Sequence, residues 1–383
     1  MTKHIDTLSV HAGYSPDPTG AVMPPIYTSS TYAQRAPGEH SGYEYARSGN
    51  PTRGAFEKAL AELEGGAAGF AFASGLAAMS TVLELLDAGS EIVALDDLYG
   101  GAWRLFEKVR NRSAGLKTRY VAPDDIAALR EAITPATKLV WLELPTNPLL
   151  KVADLAAVVE AAHKVGALVV ADATFSTPYL LRPLEYGVDI VLHSVTKYLN
   201  GHSDVIGGAA VVRTPELAER LGYLQNAVGG VLDPFSSFLA LRGLRTLPLR
   251  MQRHSSNALA VAQWLEGRAG VENVIYPGLE SHPQHALARR QYPRGFGGVV
   301  TLRLQADDAG VRRFLAALKV FTLAESLGGV ESLVNLPWAM THGSIPEDNR
   351  LRRGITPNLL RLSVGVEHID DLIADLQAGL AAI

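Results

Sequence analysis

Cysteine is absent from the 383-residue chain, which excludes disulfides, thiolate zinc sites and cysteine nucleophiles together. Charge is sparse and slightly acidic: 19% of residues are charged and the net charge is −4. That balance offers no basic face for nucleic acid or an anionic membrane. No stretch is apolar for long enough to span a bilayer, and the opening MTKHIDTLSVHAGYSP lacks the apolar core of a secretory signal. There is no internal repeat, no low-complexity tract and no Gly-x-Gly-x-x-Gly between an early strand and a helix. The last absence argues against a dinucleotide-binding oxidoreductase. What remains is a soluble globular composition, 47% hydrophobic and long enough for more than one domain, with the cytoplasm as the expected compartment.

One stretch organises the rest. Residues 189–204 read DIVLHSVTKYLNGHSD: a short apolar strand that breaks into hydroxyls, one amine and polar turn formers. A lysine directly after a strand can form a Schiff base with an aldehyde cofactor, while Ser194 and Thr196 donate to that cofactor's phosphate. His193, His202 and Asp204 could be drawn as metal ligands, but their spacing matches no strong motif, and no metal is expected.

Other blocks supply compatible chemistry, each with a plainer alternative. Residues 1–52 hold many turn formers and few periodic signals, the mark of an extended arm that often reaches another subunit. At its end, Arg47 offers a fork for a phosphate and Tyr45 a further donor, unless Arg47 is simply solvated. Ser74-Gly75-Leu76 links a buried strand to a helix start, so first-turn amides could face an anion, or Ser74 could only be an N-cap. Tyr99, freed by Gly100 and Gly101 after a strand, could lie flat on a ring or stay half-buried in a loop. Asn147 ends another strand and could donate to a phenolate oxygen or make an Asn-Pro turn.

Asp172 closes an apolar strand, where a carboxylate needs a cation or donors, and a protonated pyridine nitrogen meets that need. Arg361 inside the apolar strand Leu359–Val364 calls for a bidentate partner, either a substrate carboxylate or an internal acid. Helical patterns over 215–224 and 234–267, interrupted at Gly243, lead to strands at 299–303 and 359–364 and helices at 307–318 and 369–382.

His-Ser-x-Thr-Lys-Tyr-x-x-Gly-His-Ser-Asp, unbroken from His193 to Asp204, resembles the signature of the transsulfuration enzymes that use pyridoxal phosphate. These include the cystathionine γ-synthases, γ- and β-lyases and methionine γ-lyases. Other family blocks follow in order from about His11 to the C-terminus. The resemblance implies an α/β fold of pyridoxal-phosphate fold-type I with a mainly parallel central sheet. Its parts would be an arm (1–52), a cofactor-binding domain (53–245) and a smaller C-terminal α/β domain (246–383). It further implies that Lys197 and Tyr99 are catalytic.

By the same resemblance the cofactor is held by Gly75, Leu76, Tyr99, Asn147, Asp172, Thr174, Ser194, Thr196 and Lys197. Tyr45 and Arg47 would reach into a neighbouring subunit, in a homotetramer built as a dimer of dimers with shared sites. Arg361, Ser326 and Glu325 would bind an amino-acid substrate, Glu325 being the position at which family branches differ. Two departures stand out, Ala102 where a threonine is usual and Ala173 where an asparagine is usual. The expected activity is γ-elimination on cystathionine, with γ-replacement of O-acyl-homoserine by cysteine as the alternative. Methionine γ-lyase, cystathionine β-lyase and a non-catalytic cofactor-binding protein stand behind these.

Overall fold

The computed structural model describes residues 3–383. Chain contacts divide it into two compact units, one running to Asp87 and resuming over Arg182–Pro248, the other comprising Ala88–Leu181 and Leu249–Ile383. The strands among the described residues are, in chain order, β1 Ala68–Phe72, β2 Glu91–Leu95, β3 Lys117–Val121, β4 Thr137–Glu143, β5 Leu168–Asp172, β6 Ile190–Ser194, β7 Gly208–Val212, β8 Val271–Ile275, β9 Val299–Leu304, β10 Thr322–Leu323, β11 Leu333–Asn335 and β12 Leu359–Ser363.

In the first unit a short helix, Ile5–His11, interrupts an otherwise irregular arm. It buries only Ile5 and Ser9, too few positions to leave a periodic trace in the sequence. The next helix is Pro51–Glu64. Asn50 makes its start by accepting from the amides of Thr52 and Arg53, Pro51 needs no donor at the first position, and Gly65 closes the helix at φ 74°.

β7 lies between β1 and β6 and is antiparallel to both, so β1 and β6 are parallel to one another and end on the same edge. Phe72 and Ser194 both pair with Gly208 there. A Cβ on Gly208 would stand 2.1 Å from the Ser74 carbonyl oxygen, so only glycine fits.

Gly243 does not break the helical region as the sequence pattern suggests. The helices run Pro234–Leu244 and Leu247–Leu265, and the break falls at Arg245 and Thr246. Gly243 permits close approach instead: a Cβ there would lie 2.3 Å from the carbonyl oxygen of Asn200. The turn after β6 therefore rests directly on helix Pro234–Leu244.

In the second unit β5, β4, β2 and β3 pair in that order, all parallel, with their carboxyl ends on one edge. β4 and β5 are buried along nearly their whole length, which is why they read as continuous apolar runs. The region after β2 is not one regular helix: a π-helix, Leu105–Arg110, separates Gly100–Arg104 from Asn111–Ala114.

A further sheet, β10–β11–β12–β9–β8, is antiparallel except where β10 meets β11. Val300, Leu302, Leu360 and Leu362 on this sheet form one core with Phe314, Leu372 and Leu376 of helices Asp308–Ala317 and Ile369–Ala381. Among the described residues no helix is long and apolar enough to cross a membrane.

Candidate active site

The first unit gathers an amine, hydroxyls and amides at the shared edge of β1 and β6. Ser194 is the last residue of β6, and the chain then turns tightly. The Lys197 amide donates to the Ser194 carbonyl at 3.2 Å, and the Gly201 amide to the Lys197 carbonyl at 2.8 Å. Thr196 closes the return, its Oγ1 accepting from the Gly207 amide at 3.0 Å. Across the edge, Ser74 Oγ accepts from the Ala77 amide at 3.0 Å and caps helix Gly75–Leu83.

The amides of Gly75 and Leu76 lie in the first turn and have no intrahelical acceptor. A Cβ on Gly75 would stand 3.4 Å from Ser194 Oγ, so glycine keeps the space between those amides and that hydroxyl open. Amides at a helix N-terminus, a facing hydroxyl and a lysine in the turn that follows that hydroxyl suit a phosphate monoester that carries an aldehyde. Behind β6, His193 Nε2 meets Glu64 Oε1 at 2.6 Å with both side chains fully buried.

The second unit sets polar groups along the carboxyl edge of its parallel strands. Asp172 ends β5 and its Oδ1 accepts from the Thr174 amide at 3.0 Å and from the Thr174 hydroxyl. Glu143 ends β4 opposite Asp172 in the strand register, and its Oε2 accepts from the Tyr99 amide at 2.7 Å. Gly101 gives the Tyr99 ring its place, since a Cβ there would lie 2.3 Å from that ring. Arg361 on β12 is buried; its Nη1 donates to Asn147 Oδ1 at 3.0 Å and its Nη2 to the Ser326 carbonyl at 2.9 Å.

Ser326 itself holds a left-handed φ of 86°, beside exposed Glu325. Buried His342 meets the Thr341 hydroxyl through Nδ1 at 2.9 Å, with the backbones of Asn147 and Leu98 facing its ring. Burial holds that imidazole neutral, its pKa lowered to about 3, and the Arg361 charge pushes the same way.

Desolvation dominates the acids of this unit. Glu143 is pushed well above the usual carboxylate range by burial first and by the Asp172 charge next. Asp97 is raised to about 6, again by burial, although its Oδ2 accepts from the Thr146 hydroxyl and from the Leu149 amide at 3.1 Å. The folded chain thus binds this proton more tightly than the unfolded chain, whose carboxyl titrates near 3.8. Its share of stability is complete in acid and falls by about 3 kcal/mol as pH rises through that window. Asp97→Asn keeps an acceptor and loses the charge. Urea unfolding of the variant is expected to lack that part of the pH dependence, and above neutrality its midpoint should exceed that of the wild type.

Within the first unit the structure brings together Gly75, Leu76, Ser194, Thr196 and Lys197. Within the second it brings together Tyr99, Asn147, Asp172, Thr174, Ser326 and Arg361, with Glu325 adjacent in sequence. Tyr45 and Arg47 are not joined to the first group. Both are exposed on the arm, and Arg47 donates to the carbonyl and Oδ1 of Asn226. Ala102 and Ala173 are fully buried, so neither departure leaves a polar side chain without a partner.

Sequence reasoning passed over Glu143, Asp97, His342 and the Glu64–His193 pair. Glu143 carried a usable signal, since it ends an apolar strand just as Asp172 does. Glu64 carried none, because its partner His193 is distant in the chain, and His342 carried none, because it lies in no periodic element whose pattern would announce its burial.

The family model "Cys/Met metabolism PLP-dependent enzyme" matches residues 6–381. A cystathionine beta-lyase of Coxiella burnetii is 57% identical over 98% of both chains. A cystathionine gamma-lyase of Dictyostelium discoideum is 50% identical, covering 98% of this chain and 97% of its own. The crystal structure of a cystathionine gamma synthase from Xanthomonas oryzae pv. oryzae, in complex with aminoacrylate and cysteine, superimposes with a TM-score of 0.97 at 47% identity. That match covers 100% of this chain and 99% of the other. The fold is therefore that of the pyridoxal-phosphate fold-type I enzymes, α/β with mostly parallel strands. Lyases and a synthase alike stand among these relatives, and the chain belongs to the pyridoxal-phosphate-dependent enzymes of cysteine and methionine metabolism, the transsulfuration family.

Proposed function

We propose that this chain catalyses γ-elimination on cystathionine, with water, to give cysteine, 2-oxobutyrate and ammonia. One observation carries the reading: buried Arg361 donates to the Ser326 carbonyl, and the residue beside Ser326 is the exposed carboxylate Glu325. A fixed cation near an exposed anion suits a substrate with a carboxylate at one end and an ammonium at the other.

Bound pyridoxal phosphate supplies an electron sink for charge that develops at the substrate Cα. The Gly75 and Leu76 amides with the Ser194 and Thr196 hydroxyls would hold its phosphate. Asp172, oriented by Thr174, would keep its ring nitrogen protonated, and Asn147 would meet its phenolate oxygen. Tyr99 would lie against the ring. Arg361 would hold the substrate's α-carboxylate. Lys197 Nζ, aided by Tyr99 Oη, would take protons from Cα and Cβ and return one to the departing sulfur and one to Cγ.

Tyr45 and Arg47, both exposed on the arm, would serve a neighbour's site, in a cytoplasmic homotetramer as the family resemblance implies. β-Elimination on the same substrate, giving pyruvate and homocysteine, is the second reading, favoured by the relative of 57% identity. The third is γ-replacement, as the synthase relative's name suggests.

The holoenzyme, given cystathionine alone, is expected to release 2-oxobutyrate and cysteine. Release of pyruvate and homocysteine only, or turnover only of O-acyl-homoserine with cysteine, would reverse the assignment. Removing the charge in Glu325→Gln should raise KM for cystathionine about tenfold and leave kcat within about threefold, as for a lost charge-assisted contact made equally in ground and transition states. Steady-state kinetics check both figures.

A further inference from the structure

Glu143 is the one carboxyl at the strand ends to which the proposed chemistry gives no task. It is 5% exposed, closes β4 and lies opposite Asp172 in the strand register. Two negative charges side by side in a buried setting repel strongly, so one of the two acids keeps a proton. Among the charged groups that bear on Glu143, Asp172 on β5 and Asp97 beyond β2 oppose its ionisation, and Arg361 on β12 favours it. Burial and the two acids outweigh the arginine, so Glu143 retains the proton.

Its Oε2 is then a neutral acceptor, and it receives the Tyr99 amide at 2.7 Å. That amide opens a turn whose other end is held by the helix that follows: the Tyr99 carbonyl accepts from the amides of Ala102 at 2.9 Å and Trp103 at 3.2 Å, while its N–H is held by Glu143. Tyr99 makes no side-chain cap to helix Gly100–Arg104, which it precedes. The turn is wedged on its far side, where a Cβ on Gly100 would stand 2.6 Å from the Thr341 carbonyl oxygen.

We propose that Glu143 is a positioning residue: as an uncharged acid it fixes the backbone of Tyr99, and hence its ring, and leaves Asp172 as the charged carboxylate of the strand ends. This rests on the reading of Tyr99 as the residue that lies against the cofactor ring and helps to move protons.

The test compares Glu143→Gln, which keeps a neutral acceptor, with Glu143→Met, which keeps the volume and loses the acceptor. Amide hydrogen exchange at Tyr99 is measured in the apo-protein, and kcat, KM and the pH profile in the holoenzyme. In Glu143→Gln the Tyr99 amide should exchange as in the wild type and kcat should stay within about threefold across the pH range. In Glu143→Met that amide should lose protection while amides of β4 and β5 keep theirs, and kcat should fall about 10- to 100-fold with KM nearly constant, the scale of a small misplacement of a reacting group. The same Met substitution made in Tyr99→Phe should cost much less, because the two changes act through one ring.

Unchanged Tyr99 exchange in the Met variant, a Gln variant as impaired as Met, or equal Met effects in both backgrounds would each overturn the proposal. If Tyr99→Phe alone is as active as the wild type, the reading of Tyr99 falls, while the exchange result still decides whether Glu143 holds the turn. Should the Met variant not fold, Glu143→Gln decides: lost Tyr99 protection or a drop in kcat beyond about tenfold refutes a neutral acceptor.

Discussion

Lys197→Ala holoenzyme is expected to turn over cystathionine on the order of 10⁴-fold more slowly than the wild type, and its absorption band should shift to that of pyridoxal phosphate free in solution. The size of the effect follows from the amine's two proposed tasks, the link to the cofactor's carbonyl and the transfer of protons at the substrate. Folding is not at stake. Lys197 is only partly buried, and the turn around it is held by backbone groups of Ser194, Val195, Asn200 and Gly201 that alanine leaves intact. The groups assigned to the phosphate, Gly75, Leu76, Ser194 and Thr196, also remain. The variant should therefore still take up pyridoxal phosphate, now removable by dialysis, and melt within a few degrees of the wild-type apo-protein. An absorption band unchanged from the wild type, or retention of more than about 1% of the wild-type kcat, contradicts the assignment of Lys197.

How much of this could be read beforehand depended on where each residue found its partner. After His193, whose partner Glu64 is distant, the run to Asp204 was legible because its bonds are local: Thr196 holds Gly207, and Asn200 Nδ2 reaches Asp204 at 2.7 Å. Asp172 was legible for an energetic reason, since a carboxylate that closes a buried apolar strand needs compensation wherever the chain goes next. By the same logic Glu143 was within reach, but its value lies in a bond to Tyr99, far along the chain, that no local pattern announces.

Strands followed a similar rule. β4, β5, β6 and β7 are buried, and apolar composition located them. β3, β8 and β10 lie at sheet edges and are partly or wholly exposed, so their composition reads as loop. The break after Leu244 escaped because Gly243 has a packing reason to be glycine, and a glycine in a helical pattern does not distinguish packing from termination.

Asp172→Asn should lower kcat about 10²- to 10³-fold, the scale of removing one preorganised electrostatic contact from a catalytic centre. The substitution is nearly isosteric. Asparagine Oδ1 can still accept the amide and hydroxyl of Thr174, so the end of β5 keeps its shape. What disappears is a negative charge, and with it the repulsion that helps to keep Glu143 protonated. In the apo-protein this removes a cost, because two acids no longer compete at adjacent strand ends, and the variant should melt no lower than wild-type apo-protein.

In the holoenzyme the same loss leaves the cofactor's ring nitrogen without a counter-charge, so that it stays protonated only in acid. The kcat deficit is therefore expected to widen as pH rises. Melting curves of both apo-proteins and pH profiles of both holoenzymes separate the two effects. A variant whose apo-form is markedly less stable would make Asp172 a structural acid. A holoenzyme within about tenfold of wild type at every pH would deny it the ring nitrogen.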